Sequence, residues 1–221
     1  MMGRARASKR LIIYSSLTVG MAIVAWLYAL FFDQASILRD LFVPLSFLGL
    51  GMLIKYGDQA FDEGAYSKRT SLALAVPGGL WMGSLIAVDR GSATIFLGIL
   101  IALLLARKYD NLAFQMGFVV ALLIGSAGML TGVGSFDVLG AVVVLAAAFV
   151  DEKANDLPGV DGGTSRTAIA LHHRPFLKIA VLALCLVGIL PSLMYFFAFL
   201  AFDFGYVLVE ALSASEATAL G

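Results

Sequence analysis

Acidic residues follow several of the apolar segments, and their spacing is compatible with metal chemistry. Asp58 and Asp62 come after the segment 41–56 and are four residues apart, so they share a face if the helix continues. Asp151 and Asp156 follow a later apolar segment. Carboxylates so placed repel each other and are disfavoured by the helix dipole. A divalent cation would compensate, and Mg²⁺ commonly combines one or two carboxylates with substrate phosphates.

Two basic residues end the apolar segment between these acidic pairs. Arg107 and Lys108 follow the segment 92–106, and such cations can hold phosphate oxygens. The six residues together predict a Mg²⁺ site at the inner membrane face, acting on a phosphorylated or diphosphate-bearing lipid such as a phospholipid. The alternative for the same residues is a set of salt bridges at the membrane interface.

The composition defines the class of protein that must position these residues. Of 221 residues, 61% are hydrophobic and 14% are charged, and the mean hydropathy is +0.95. A soluble monomer of this size could not bury so much apolar surface. Disordered, collagenous and nucleic-acid-binding classes are excluded in the same way. We therefore expect an all-α, multi-pass protein whose main partner is the lipid bilayer.

The apolar segments predict a single domain, 1–212, with seven membrane spans and a disordered tail, 213–221. The predicted spans are 11–32, 41–56, 72–88, 92–106, 112–130, 132–150 and 176–200. The last apolar run, 176–212, would be about 55 Å long as a helix, more than one span requires. An eighth span is therefore open, if the run breaks at Pro191.

Basic residues predict the orientation of the chain. A cytoplasmic N-terminus places thirteen of the fifteen Lys and Arg residues on the inner side and leaves Arg39 and Arg90 outside. With seven spans, the C-terminus is then expected outside. Tight loops and the lack of a targeting signal favour a prokaryotic cell membrane.

The acidic motifs of the second and sixth predicted helices resemble those of the UbiA-type intramembrane prenyltransferases. Asp58 and Asp62 match two acidic positions of the first family motif, whereas Gly57 stands where that family tends to have Asn or Asp. Asp151 and Asp156 stand where the second motif is expected, spaced five apart rather than four. The resemblance implies an all-helical fold and two acidic motifs that bind Mg²⁺ and an isoprenoid diphosphate. The family typically has nine spans.

Two other functions remain open at this stage. A small transporter or channel would use the acidic clusters as an inner vestibule that attracts cations. A non-catalytic membrane subunit is the third hypothesis, and nothing in the sequence excludes it. The vestibule alternative predicts that flux depends on Asp58 and Asp151, whereas the enzyme predicts that Asp58→Asn abolishes activity and leaves the fold intact.

Overall fold

The computed structural model describes residues 16–24, 26–28, 31, 37–109, 111–158, 171 and 173–219. Across these ranges the protein is all-helical, without strands. The helices, in chain order, are α1 (Ser16–Tyr28), α2 (Ile37–Asp58), α3 (Lys68–Val88), α4 (Arg90–Ala106), α5 (Leu112–Leu130), α6 (Val138–Asn155), α7 (Pro175–Leu186) and α8 (Met194–Ala219). A π-helical turn, Gln59–Glu63, continues α2.

Side-chain caps explain where four of these helices begin. The side chains of Ser67, Asp89, Asn111 and Asp137 accept hydrogen bonds from backbone N–H groups in the first turns of α3, α4, α5 and α6. Such caps satisfy N–H groups that have no partner within the helix. The observed starts of α3 to α6 therefore follow from short polar residues placed before apolar runs.

Three helix pairs form the body of the bundle: α2 with α8, α3 with α5, and α4 with α6. Glycines allow close contact within each pair. A Cβ at Gly79 would lie 2.5 Å from the carbonyl oxygen of Gly117, and one at Gly98 would lie 2.8 Å from that of Ala141. Small residues at such positions let helix backbones approach closely, as in membrane helix packing.

Four helical segments are long and apolar enough to cross a membrane: Leu41–Glu63, Lys68–Val88, Leu112–Leu130 and Met194–Ser213. α5 is the least enclosed, with 22% of its apolar window buried inside the protein. Large apolar side chains such as Leu123 and Leu130 point outward, at 65% and 88% exposure. An outer surface of this kind is compatible with insertion into a bilayer. α4 and α7 are apolar but shorter, at 17 and 12 residues.

The long apolar run near the C-terminus consists of two helices rather than one span, 176–200. α7 ends at Leu186, and α8 begins at Met194. Gly188 has a φ of 77°, a left-handed conformation that suits glycine, and Pro191 cannot continue a helix hydrogen-bond ladder. The helix also continues to Ala219, so the predicted disordered tail, 213–221, is helical over most of its length. Alanine and glutamate in that segment favour a helix.

The break reverses the direction of the last helix. Near the start of α8, Tyr195 bonds to Asp89 in the α3–α4 turn. Farther along, Tyr206 bonds to Asp58 at the end of α2. α8 therefore ends beside the C-terminal end of α2, at what we call the polar end of the bundle, defined by Asp58, Asp151 and Tyr206. A single span, 176–200, would have placed the end of the chain opposite the acidic motifs. The two helices instead bring it to the same end, as in the alternative in which the run breaks at Pro191.

Candidate functional site

A cavity of about 360 Å³ lies at the polar end of the bundle. Its polar lining comes from several helices and comprises Asp58, Asp62, Lys108, Glu152, Asn155, Asp156, Arg174 and Tyr206. Its apolar lining includes Met82, Phe96, Leu100, Phe114 and Phe202. The lining therefore combines charged and apolar side chains, which suits an amphipathic ligand.

Asp58 ties three helices together at the wall of this cavity. Its Oδ1 accepts a hydrogen bond from Asn111 Nδ2 at 3.3 Å, and its Oδ2 accepts one from the Tyr206 hydroxyl at 3.2 Å. Asn111 also caps α5, since its Oδ1 accepts from the N–H of Phe114 at 2.7 Å. Asp58 is thus held in a fixed position by α5 and α8 while it faces the cavity.

Arg174 and Glu152 form an ion pair across the cavity wall. The guanidinium of Arg174 lies 3.0 Å from Glu152 Oε1, and it also stacks over the ring of Tyr206 at 5.1 Å. Burial alone would lower the pKa of Arg174, but the negative charges of Glu152, Asp203 and Asp58 outweigh it and hold that pKa above its usual value. Arg174 is therefore a permanent cation, available to an anionic ligand that displaces Glu152.

A second ion pair lies at the more exposed side of the cavity. Lys108 Nζ donates to Asp156 Oδ1 at 2.6 Å, and Lys153 approaches the other oxygen of Asp156 at 3.4 Å. The hydrogen bond from Lys108 holds the pKa of Asp156 below its usual value. Because both side chains are about two-fifths exposed, this pair is weak and can open for a ligand.

The donor set of the cavity consists of hard oxygens. Four carboxylates and two cations line it, and the Oδ1 of Asn155 is buried without a hydrogen-bond partner. Within the described part of the chain, no group of three or more His, Cys, Asp or Glu side chains is placed to hold a metal ion by itself. The residues fit Mg²⁺ only in its common mode, with one or two carboxylates and the rest of the coordination from water and phosphate.

The structure brings together four of the six residues that the sequence predicted for the site. Asp58, Asp62, Asp156 and Lys108 line the cavity. The other two lie elsewhere. Asp151 is fully buried and its two oxygens accept from the N–H groups of Phe176 and Leu177, at 3.2 and 2.7 Å, so it caps α7.

Arg107 is the second residue outside the cavity. It is exposed at the end of α4 and adopts a left-handed conformation with a φ of 61°. Its neighbour Lys108 turns to the cavity instead. The side chains of adjacent residues can point in different directions at a helix end. The sequence alone therefore could not show that Lys108, and not Arg107, faces the cavity.

Four polar lining residues were absent from the predicted set: Glu152, Asn155, Arg174 and Tyr206. Glu152 is four residues from Asp156, and Asn155 is four residues from Asp151, so each pair shares a helix face. This spacing was a usable signal for Glu152 and Asn155. Arg174 precedes Pro175, a common first helical residue, which marks it as a helix boundary. Tyr206 carried no usable signal, because its place depends on the reversal between α7 and α8.

A second, narrower pocket adjoins the cavity, and we call it the apolar slot. It lies among α2, α3, α4 and α5, has a volume of about 60 Å³, and shares four apolar residues with the cavity: Ile54, Met82, Leu100 and Phe114. Its polar lining residues are Ser71 and Asn111. The slot and the cavity are therefore neighbours with different chemistry.

Comparisons with known proteins add no relative to this description. No protein-family model, no curated protein and no solved structure matches the chain. The functional argument therefore depends on the geometry of the polar end.

Proposed function

We propose that the protein is a membrane enzyme that uses Mg²⁺ to act on a lipid bearing a phosphate or diphosphate. The observation that carries the proposal is the cavity, in which four carboxylates and two cations face an apolar wall. Such a site suits a ligand with a highly charged head and an apolar chain.

In this proposal the carboxylates of the cavity bind Mg²⁺ and its cations bind the phosphate. Asp58 and Asp62 are the proposed Mg²⁺ ligands, because they lie on the same helix end and face the cavity. Lys108 and Arg174 are the proposed phosphate ligands, and each would exchange its present carboxylate partner for phosphate oxygens. When bound, Mg²⁺ supplies charge neutralisation to the phosphate. Met82, Phe96 and Phe202 would exclude water from the lipid chain.

An isoprenoid diphosphate is the proposed substrate class, in keeping with the resemblance of Asp58 and Asp62 to the first acidic motif of UbiA-type prenyltransferases. Of the two residues compared with the second motif, Asp156 lines the cavity and Asp151 caps a helix, while Glu152 beside Asp151 also lines the cavity. A phospholipid headgroup would offer fewer phosphate charges to the same cations.

The proposed membrane arrangement has eight crossing segments with both termini in the cytoplasm of a prokaryotic cell. The polar end carries Lys55, Lys108, Lys153 and Arg174, whereas Arg90 lies at the opposite end beside Asp137. The positive-inside rule then places the polar end in the cytoplasm. The cavity would receive a water-soluble or membrane-borne phosphate from that side.

Thermal unfolding of the purified protein tests the proposal. Mg²⁺ with farnesyl diphosphate should stabilise the wild type, by about 2.7 kcal/mol at a hundred times the dissociation constant. Asp62→Asn should abolish the shift, because it removes a cavity carboxylate. Lys108→Met should weaken it, and the matched control Arg107→Met should not. An equal shift in wild type and Asp62→Asn would refute the metal role.

The excess of carboxylates over cations in the cavity favours one second candidate, a cation channel or transporter. In that case cation flux into proteoliposomes should fall when Asp58 and Asp62 are both changed to Asn. Diphosphate would then have no effect on thermal stability. The two experiments together separate the enzyme from the channel.

A further inference from the structure

Ser71 is a buried hydroxyl without a partner in the wall of the apolar slot. Its side chain belongs to the first turn of α3, it is 3% exposed, and its Oγ has no hydrogen-bond partner. A buried polar group left unpaired is costly, so most such groups have a partner. The slot is the space from which a ligand could supply one.

The lining of the slot defines the chemistry of such a ligand. Apart from Ser71 and Asn111, the slot is lined by apolar residues and glycines, and none of its lining residues is charged. Its volume of about 60 Å³ has room for roughly four to six groups the size of a water molecule. The slot therefore has room for a hydroxyl and the first few carbons of one apolar chain, and its uncharged lining offers no counter-charge to a phosphate.

The approach to Ser71 is kept open by a glycine. A Cβ at Gly57 would lie 3.6 Å from Ser71 Oγ, so any longer side chain there would fill the space in front of the hydroxyl. Asn111 also lines the slot, and it bonds Asp58 in the cavity wall. A group at Ser71 would therefore be close to the cavity without entering it.

We propose that the apolar slot is a separate binding site for an uncharged, hydroxyl-bearing apolar chain, a long-chain alcohol in chemical class. The ligand hydroxyl exchanges hydrogen bonds with Ser71 Oγ. The first carbons of the chain lie between α2, α3 and α5 along Leu53, Leu74 and Phe118, and the rest of the chain extends out of the slot. The site does not use the cavity carboxylates, so binding is independent of Mg²⁺ and of Asp62.

Photolabelling of the full-length protein in nanodiscs tests this site. The probes are a diazirine-bearing octanol and the matching diazirine-bearing octane, and the readout is the labelled residue found by mass spectrometry. The alcohol should label slot residues at least several-fold more than the hydrocarbon does, with and without Mg²⁺. Excess unlabelled octanol should compete for that labelling.

Two variants distinguish the slot from general lipid contact. Ser71→Ala should remove the preference for the alcohol and leave hydrocarbon labelling unchanged. The control Ser84→Ala lies on the same helix, but its hydroxyl is exposed and donates to the Leu80 carbonyl, so the preference should persist. Equal labelling by both probes in the wild type, or an unchanged preference in Ser71→Ala, overturns the proposal. Asp62→Asn should keep the preference, whatever becomes of the Mg²⁺ proposal.

Discussion

Asp58 and Asp151 are acidic residues with similar positions at helix ends but different partners. Asp58 bonds two side chains at the cavity wall, whereas Asp151 bonds two backbone N–H groups at the start of α7. A carboxylate at a helix N-terminus satisfies otherwise unpaired donors and matches the helix dipole. The role of each carboxylate is therefore decided by the partner it meets, not by its type.

The helix cap predicts a distinct phenotype for Asp151→Asn. The amide keeps one acceptor oxygen for two donors and loses the charge, so the unfolding free energy should fall by about 1–2 kcal/mol. The stabilisation by Mg²⁺ and diphosphate should remain. Thermal unfolding with and without the ligand measures both quantities. If a folded Asp151→Asn protein were no longer stabilised by Mg²⁺ and diphosphate, Asp151 would have to be a metal ligand after all.

Substitution of Ser71 should change the unfolding free energy in the opposite direction to Asp151→Asn. Without ligand, Ser71→Ala removes a buried, unpaired hydroxyl, so the protein should become more stable by about 1–3 kcal/mol. Denaturation in ligand-free detergent is the measurement, with Ser84→Ala as the control that should change little. A destabilised Ser71→Ala would mean that the hydroxyl is paired in the folded protein.

At the scale of the elements, neighbouring glycines in α3 have different environments. A Cβ at Gly79 would meet the backbone of Gly117 in α5, whereas one at Gly78 would meet the end of the flexible Leu53 side chain at 3.3 Å. Gly79→Ala should therefore destabilise the protein by about 1–3 kcal/mol, because the helices must move apart. Gly78→Ala should cost less, and thermal unfolding compares the two. Equal losses would argue against close α3–α5 contact.

The start of α8 is held by a buried hydrogen bond. Tyr195 is 1% exposed, and its hydroxyl donates to Asp89 Oδ1 at 2.8 Å. Tyr195→Phe should cost about 1–3 kcal/mol, since it leaves a buried carboxylate oxygen without this donor. The Mg²⁺ response at the other end should persist in the folded fraction. A neutral effect on unfolding would show that the bond does not anchor the helix.

At the same scale, the sequence predicted local features better than long-range ones. α5 coincides with its predicted segment, 112–130, because a cap and a long apolar run determine it locally. The sequence grouped Asp58, Asp62, Lys108 and Asp156, which line one cavity, because they follow apolar runs that end on the same side. Arg174 and Tyr206 depend on how α7 and α8 fold back, and a continuous apolar run does not reveal a reversal at Gly188 and Pro191.

At the scale of the whole molecule, the direction of α8 predicts the side on which the chain ends. Single cysteines at Arg107 and Leu212 should react with a membrane-impermeant maleimide from the same side, and one at Val133 should react from the other. Cys185 is buried, and Cys185→Ala supplies a clean background. The measurement compares labelling of intact cells, in which the reagent reaches only outer positions, with labelling of permeabilised cells, in which it reaches both sides. Reaction of the Leu212 and Val133 positions from the same side would support seven crossings instead.

The pairing of α2 with α8 has a consequence for biosynthesis. Ribosomes synthesise the chain from its N-terminus to its C-terminus. The α3–α5 and α4–α6 pairs can therefore assemble before α8 is synthesised. Until then α2 lacks its main partner, and Asp58 lacks the Tyr206 hydroxyl. The nascent protein therefore carries an incomplete, charged cleft. Chaperones and proteases that detect exposed polar groups in apolar helices could act on this chain until α8 is synthesised.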